Sequence, residues 1–337
     1  MLEILPVTGI GDVRPGTDLA AVIAAAAPWL ADGDVLVVTS KIVSKAEGQL
    51  VDVPTGGPER EAAREDLLTA ETARTVARRG HTRIVQTHHG FVMASAGIDA
   101  SNVDRRQLVL LPKDPDASAR ALRAALRERM GVDVAVVVSD TLGRPWRVGQ
   151  TDVALGAAGI DAVRDYRGEL DGYGNELHVT QIAVADELAG AAELVKGKSE
   201  MVPVAVVRGW ELPRDAPDGP GAAVLVRGAE HDLFSLGTTE AYAAGLRAAA
   251  TALDEVTPSA VLDMSAVRLA IDLVGRPDWP AEDGLVHCRP DGDLVRLGVD
   301  VARLRALLAA GGLATRWRPY DDPAAGGTLQ VVGTPPA

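Results

Sequence analysis

Residues 134–160 read VAVVVSDTLGRPWRVGQTDVALGAAGI. The valine-rich run from Val134 to Val138 predicts a buried strand. At Ser139-Asp140-Thr141 the run turns polar, which predicts that the strand ends there. A loop holding Gly143, Arg144, Pro145, Trp146, Arg147 and Gly149 is then expected. A carboxylate and a hydroxyl just past the end of a buried strand lie where open α/β sheets place their chemistry. Arg144 and Arg147 suit recognition of phosphate or carboxylate, or they brace the loop against Asp152.

Outward from this stretch, 337 residues allow one large domain and a smaller one. With 47% apolar and 24% charged residues the chain reads as an ordinary soluble protein, and 3% aromatics make its core aliphatic. A net charge of −13 argues against a nucleic-acid surface, while local arginines and metal ions can still draw a small anion into one cleft. The single cysteine, Cys288, excludes an internal disulfide and fits a reducing compartment. The N-terminal MLEILPVTGIGD lacks a signal-peptide pattern, and Leu19 to Leu30 is too short to span a bilayer. A cytoplasmic protein without nucleic-acid or membrane partners is the expectation.

Strands are predicted at Leu2 to Val7, Val35 to Thr39, Thr82 to Thr87, Phe91 to Ala96, Leu108 to Leu111 and Val204 to Val207. Helices are predicted from Thr17 or Asp18 to Leu30, Pro58 to Arg79, Ala117 to Met130, Val184 to Val195, and Thr239 to Leu253. Ser40 to Gly48 reads as a loop whose two lysines face phosphate or solvent. His88-His89 is a weak metal candidate, because adjacent strand residues point to opposite faces. Gly97-Ile98-Asp99-Ala100-Ser101-Asn102 forms a second strand-to-loop break with a carboxylate at its tip. Arg164 to Glu176 reads as a hairpin and loop. Pro258 marks a boundary, giving domains 1–250 and 258–337. The second holds a helix Ala266 to Val274, a hairpin turning at Arg289 to Asp293, a helix Val301 to Ala310, and strands Ala314 to Pro319 and Thr328 to Val332.

Several chemistries fail on spacing. Gly197-Lys198-Ser199 resembles the end of a P-loop, but that pattern needs a glycine where the chain has Ala192. Gly9-Ile10-Gly11 is followed by Arg14 rather than the third glycine of a dinucleotide fingerprint. No G-x-S-x-G nucleophile elbow occurs, and Cys288 has no activating neighbourhood. What survives is Asp99 and Asp140, each at a strand end, with Thr141 beside the second. Hard oxygen donors of this kind suit Mg²⁺ or Mn²⁺ shared with nucleotide phosphates. Glycine loops and the lysines Lys45 and Lys198 could hold those phosphates. The residues alone thus point to a metal-dependent, nucleotide-using enzyme.

Five blocks in order resemble the coenzyme F420-0:L-glutamate ligases, or γ-glutamyl ligases. They are PVTGIGDV near the start, SKIVSKAEG at Ser40 to Gly48, AGIDASN at Ala96 to Asn102, SDTLGRPWRVGQTDVALGAAGI at Ser139 to Ile160, and KGKSEMVPVAVVRG at Lys196 to Gly209. They run from Pro6 to Gly209 and point to a ligase domain of roughly the first 245 residues, a usual domain length. The resemblance implies an α+β fold: a mixed-sheet ligase domain, here followed by a small α+β module. It implies GTP-dependent addition of L-glutamate to the phospholactyl carboxylate of F420-0 through an acyl phosphate, then of further γ-linked glutamates. By the same resemblance Ile10, Gly11, Asp12, Val13, Ser40, Lys45 and Asn102 contact GTP, and the segment around Lys196 to Val202, with Gly197 and Lys198, closes over it. Asp99 and Asp140 hold one divalent metal, Mg²⁺ or Mn²⁺, and Thr141 helps hold a second. A K⁺ ion and a homodimer also follow from the resemblance. Asp140, Arg144 and Arg147 are the expected catalytic set, the arginines as clamps for the acidic substrates.

Two departures stand out. Some archaeal members carry a glutamine near position 198, where Lys198 weighs against a second metal. Actinobacterial relatives append a flavin domain of about 200 residues, whereas about 85 residues follow Thr251 here without a recognisable FMN-binding start. The rival readings are a metal-dependent phosphohydrolase and a catalytically silent nucleotide-binding regulator.

Overall fold

In the computed structural model, which describes residues 1–212, 216–238, 240–241, 243–245 and 257–335, the strand entered at Ala135 does not end at Ser139. It runs Ala135–Gly143 and folds back antiparallel onto Gln150–Ala158, with Asp140 opposite Val153 and Thr141 opposite Asp152. Ser139, Asp140 and Thr141 are therefore strand residues, and only the tip of the hairpin is a loop. The polar turn in the sequence marks where this hairpin leaves the core, not where pairing stops.

The chain divides into two units, Met1–Ser235 and Leu236–Ala337. The first contains β1 (Glu3–Val7), α1 (Leu19–Ala26), β2 (Val35–Thr39), α2 (Ser40–Ala46), β3 (Leu50–Asp52), α3 (Gly57–Ala70), β4 (Thr72–Arg79), β5 (Thr82–Thr87) and β6 (Val92–Ala94). It continues with β7 (Gln107–Val109), α4 (Pro115–Met130), β8 (Ala135–Gly143), β9 (Gln150–Ala158), β10 (Arg164–Asp165), β11 (Gln181–Ile182), α5 (Val184–Lys196) and β12 (Val204–Arg208). The central sheet has the order β1-β12-β2-β8-β9. Only β2 and β8 pair in parallel, so the sheet is mixed, as expected for an α+β fold.

Its inner strands β12, β2 and the first half of β8 are buried on both faces, which explains their unbroken apolar runs. Leu36, Val38, Val136, Val138, Val204 and Val206 pack with Ile23 of α1 and Ala119, Leu122 and Leu126 of α4. Their neighbours Val35, Val37, Ala135, Val137, Ala205 and Val207 pack with Val184, Leu188 and Ala192 of α5. Each such buried Val, Leu or Ile contributes about 1.5–3 kcal/mol. Gly156 lets α4 press onto β9, since a Cβ there would lie 2.2 Å from the Pro115 carbonyl oxygen.

Two predicted elements are corrected. Ser40 to Gly48 is not a loop: Ser40–Ala46 is helical directly after β2. Ile42 and Val43 bury into the core, and the four-residue spacing puts Lys41 and Lys45 on one side. The helix expected to reach Arg79 stops at Ala70, and Thr72–Arg79 pairs with β5 across Gly80 (φ 58°) in a sheet ordered β4-β5-β6. Thr72, Thr75 and Val76 favour the extended chain, and Gly80 supplies the turn.

The second unit contains α6 (Met264–Val274), β13 (Ala281–Glu282), β14 (Leu285–Cys288), α7 (Leu294–Ala310), β15 (Ala314–Pro319) and β16 (Gly327–Val332). Its sheet runs β13-β14-β16-β15, over a core that includes Trp279, Val286, Leu304, Leu308 and Leu329. The hairpin turn expected at Arg289 to Asp293 is a strand-to-helix connection instead. Asp293 caps α7 by accepting from the backbone N–H groups of Val295 and Arg296, so that helix begins seven residues before Val301. The hairpin turns at Asp283-Gly284, both at positive φ. Cys288 is buried, and burial pushes its thiol up to about 12, so it is inert. Parts of the helix expected from Thr239 to Leu253, and of the boundary near 250–258, fall on residues 239, 242 and 246–256, outside the described residues. Among the described residues no helix is long and apolar enough to cross a membrane.

Candidate functional site

Four segments of the first unit surround one cavity of about 910 Å³. The loop after β1 contributes Ile10, Gly11, Asp12 and Val13, and α2 contributes Lys41 and Lys45. Asn102 comes from the loop before β7, and Gly197 and Lys198 from the turn after α5. Of the residues expected around a nucleotide, only Ser40 is not in the wall. It is buried at the first turn of α2, beneath that wall.

Lys45 is nearly buried, and its Nζ donates to the Asn102 carbonyl oxygen at 2.7 Å and approaches Asp12 Oδ1 at 3.5 Å. Arg14 and then Lys45 hold the Asp12 carboxyl below its usual range. Asn102 takes the left-handed conformation (φ 57°), which asparagine tolerates. Lys41 Nζ pairs with Asp99 Oδ2 at 2.5 Å and donates to Ser101 Oγ at 2.6 Å. Burial pushes the Asp99 carboxyl up, but the bonds from Lys41 and Ser101 outweigh it and hold the group below its ordinary value.

The pleat of β8 splits its polar end between two sides. Alternation puts Asp140 on the face of Val136 and Val138, toward α2, and Ser139 and Thr141 on the face of Val137, toward α5. A bulge at Leu155, which has no partner between the Val138 and Ser139 pairings, resets the register at this step.

On the α2 side, burial pushes the Asp140 carboxyl up to about 6, and the charges of Asp152 and Asp99 add to the effect. The Thr141 backbone N–H donates to Asp140 at 2.9 Å and opposes that rise. No ion pair to Asp140 occurs among the described residues. On the α5 side, Asp152 accepts from Thr141 Oγ1 at 2.7 Å, Ser139 Oγ at 2.9 Å and Lys196 Nζ at 2.7 Å. Lys196 is 2% exposed and also reaches Ser139 Oγ at 2.9 Å and Glu193 Oε2 at 3.4 Å. Lys198 Nζ donates to Thr141 Oγ1 at 2.7 Å and pairs with Glu193 Oε1 at 2.5 Å. Burial raises the Asp152 carboxyl, yet Lys196 and the hydroxyl bonds bring it below its ordinary value.

Among the described residues no group of three or more His, Cys, Asp and Glu side chains could hold a metal by itself. The α2 side nevertheless suits one hard cation. Asp99 and Asp140 are all-oxygen donors, and the Asp140 charge lacks compensation. Mg²⁺ commonly takes one or two carboxylates and completes its shell with phosphate and water.

Arg144 and Arg147 stand exposed on the β8–β9 hairpin tip, off the cavity wall. Neither braces Asp152, which Lys196 and two hydroxyls occupy instead. His88 and His89 bond through Nε2 to the carbonyl oxygens of Ala70 and Lys113. Sequence reasoning left Lys41 between phosphate and solvent, placed Lys196 only at the start of the closing segment, and did not single out Asp152 or Glu193 as site residues. Asp152 left a faint signal, a carboxylate directly before the apolar run that starts at Val153.

The sequence model of the family described as F420-0:Gamma-glutamyl ligase matches residues 9–209. The coenzyme F420:L-glutamate ligase of Methanothermobacter thermautotrophicus is 40% identical over 250 residues, covering 69% of this chain and 98% of its own length. The protein of the same name from Methanopyrus kandleri is 41% identical over 246 residues, with 69% and 97% covered. That of Haloarcula marismortui is 43% identical over 249 residues, with 69% and 95% covered.

Proposed function

The chain belongs to the F420-0:γ-glutamyl ligase family, and from that premise we propose that it joins L-glutamate to coenzyme F420-0 at the expense of GTP and then adds further γ-linked glutamates. The observation that carries this reading is the cavity itself. Its backbone loop, two α2 cations and closing turn are brought together beside Asp99 and Asp140. At about 910 Å³ it is large enough for a nucleotide.

In this reading the loop Ile10 to Val13 and the Asn102 segment seat the nucleotide. Lys45, fixed by the Asn102 carbonyl, and Lys41 offset the charge of the phosphates. Asp99 and Asp140 would hold one divalent ion, Mg²⁺ or Mn²⁺, which when bound would supply positive charge for phosphoryl transfer. The phospholactyl carboxylate attacks the γ-phosphorus, the bond to the GDP oxygen breaks, and an acyl phosphate forms. The free amine of L-glutamate then attacks the acyl carbon. Phosphate leaves, the amide forms, and the surplus amine proton passes to water. Arg144 and Arg147, exposed on the adjoining hairpin, recruit the acidic substrates electrostatically. The protein's contribution is chiefly positioning and a prepared field.

Phosphate release separates this ligase from a phosphohydrolase. With GTP, F420-0 and Mn²⁺ present, release is expected to require L-glutamate and to fall to background without it. Release at an undiminished rate in the absence of glutamate would assign the site to hydrolysis.

A further inference from the structure

We infer that the ammonium group of Lys198 occupies the place of a second divalent cation, so that this site binds its nucleotide with one metal ion rather than two. The inference rests on the nucleotide reading of the cavity and departs from the two-metal expectation that the family resemblance carries for Thr141.

The Thr141 hydroxyl already donates its proton and accepts one hydrogen bond. It donates to Asp152 Oδ1 at 2.7 Å and accepts from Lys198 Nζ at 2.7 Å. Around that Nζ stand Glu193 Oε1 at 2.5 Å and Asp152 Oδ1 at 3.8 Å. An ammonium thus sits among three oxygens, two of them anionic, at contact distance from the hydroxyl that a second metal would need. A divalent ion bound to the same oxygen would lie close to a positive charge that repels it.

Charge accounting on the two sides of β8 leads to the same conclusion. On the α5 side, Asp152 and Glu193 face Lys196 and Lys198, two carboxylates against two ammonium groups. That cluster is neutral and offers nothing to a further dication. On the α2 side, among the described residues, Asp99 and Asp140 share only Lys41, which bonds Asp99. The uncompensated negative charge therefore lies on one side of the strand, where one metal fits. Lys196 ends α5, where the helix dipole favours a cation, and its near-complete burial keeps the cluster assembled. The Lys198 side chain is 66% exposed and lies in the cavity wall, so its free face meets the phosphates from the position a second metal would take.

The test counts Mn²⁺ bound per chain, by equilibrium dialysis and by electron paramagnetic resonance of free Mn²⁺, with a non-hydrolysable GTP analogue at saturation. The wild-type protein is expected to bind one Mn²⁺. Lys198→Gln, which removes the charge from an exposed side chain and leaves a neutral oxygen donor, is expected to bind two, and Lys198→Arg one. Two ions on the wild type, or one on Lys198→Gln, would overturn the inference and leave the ligase reading intact. Failure of the wild type to bind the analogue at any Mn²⁺ concentration would instead overturn the nucleotide reading on which the inference stands.

Discussion

Asp140→Asn is expected to lower glutamate ligation roughly 10³-fold, while leaving the metal-free protein as stable as the wild type or more stable at neutral pH. The two effects share one cause. Asp140 sits where burial and the charges of Asp152 and Asp99 all disfavour its ionised form, raising its carboxyl from 3.8 to about 6. Without a cation beside it, the ionised group costs the fold on the order of 2–3 kcal/mol at pH 7. The native state holds the proton more tightly than the unfolded chain does. Stability therefore falls as pH rises from about 4 to about 6, and the cost is complete above that window. Asparagine removes the charge and with it the cost. In chelator, the variant should unfold at a higher temperature than the wild type at pH 7.5, and the difference should close near pH 4. Ligation within a few-fold of wild type would remove Asp140 from the chemistry. A large drop in melting temperature would mean that its role is structural.

Lys196→Met is expected to cost about 3–5 kcal/mol of folding stability, because it strips a buried carboxylate of its closest cation. Lys196 and Asp152 are both almost wholly buried and 2.7 Å apart. Methionine fills the space of the lysine stem but leaves the Asp152 charge with two hydroxyl donors and the more distant Lys198 ammonium at 3.8 Å. That residual partner places the loss toward the lower end of the range. Adding Asp152→Asn should restore most of it, since the pair is then removed as a unit. Urea midpoints for the two single variants and the double variant measure this directly. A Lys196→Met loss below about 1 kcal/mol would show that solvent reaches the pair.

The core strands were readable because burial on both faces writes itself as unbroken aliphatic runs. Val35 to Thr39 and Val204 to Val207 were placed within a residue for that reason. The end of β8 was misread for a physical reason too. Its polar residues still pair, and their two faces serve two different side-chain clusters, so polarity marked function rather than a strand end. α2 was hidden because its apolar pair, Ile42 and Val43, is too short to display a helical period. β4 was hidden behind charged residues that suit a helix equally well, until Gly80 turns the chain. The cavity residues Ile10 to Val13, Lys45, Asn102, Gly197 and Lys198 carried motif information and do come together. How Asp152, Glu193, Lys196 and Lys198 join into one network was not legible, because pairing across β9 and α5 is a matter of register that no local pattern encodes.

The reaction itself is tested most directly by mass spectrometry of F420-0 incubated with the protein, L-glutamate, GTP and Mn²⁺ or Mg²⁺. The account predicts products heavier by successive glutamyl residues, absent when GTP is omitted and absent with Asp140→Asn. GTP consumption with F420-0 left unmodified would contradict it.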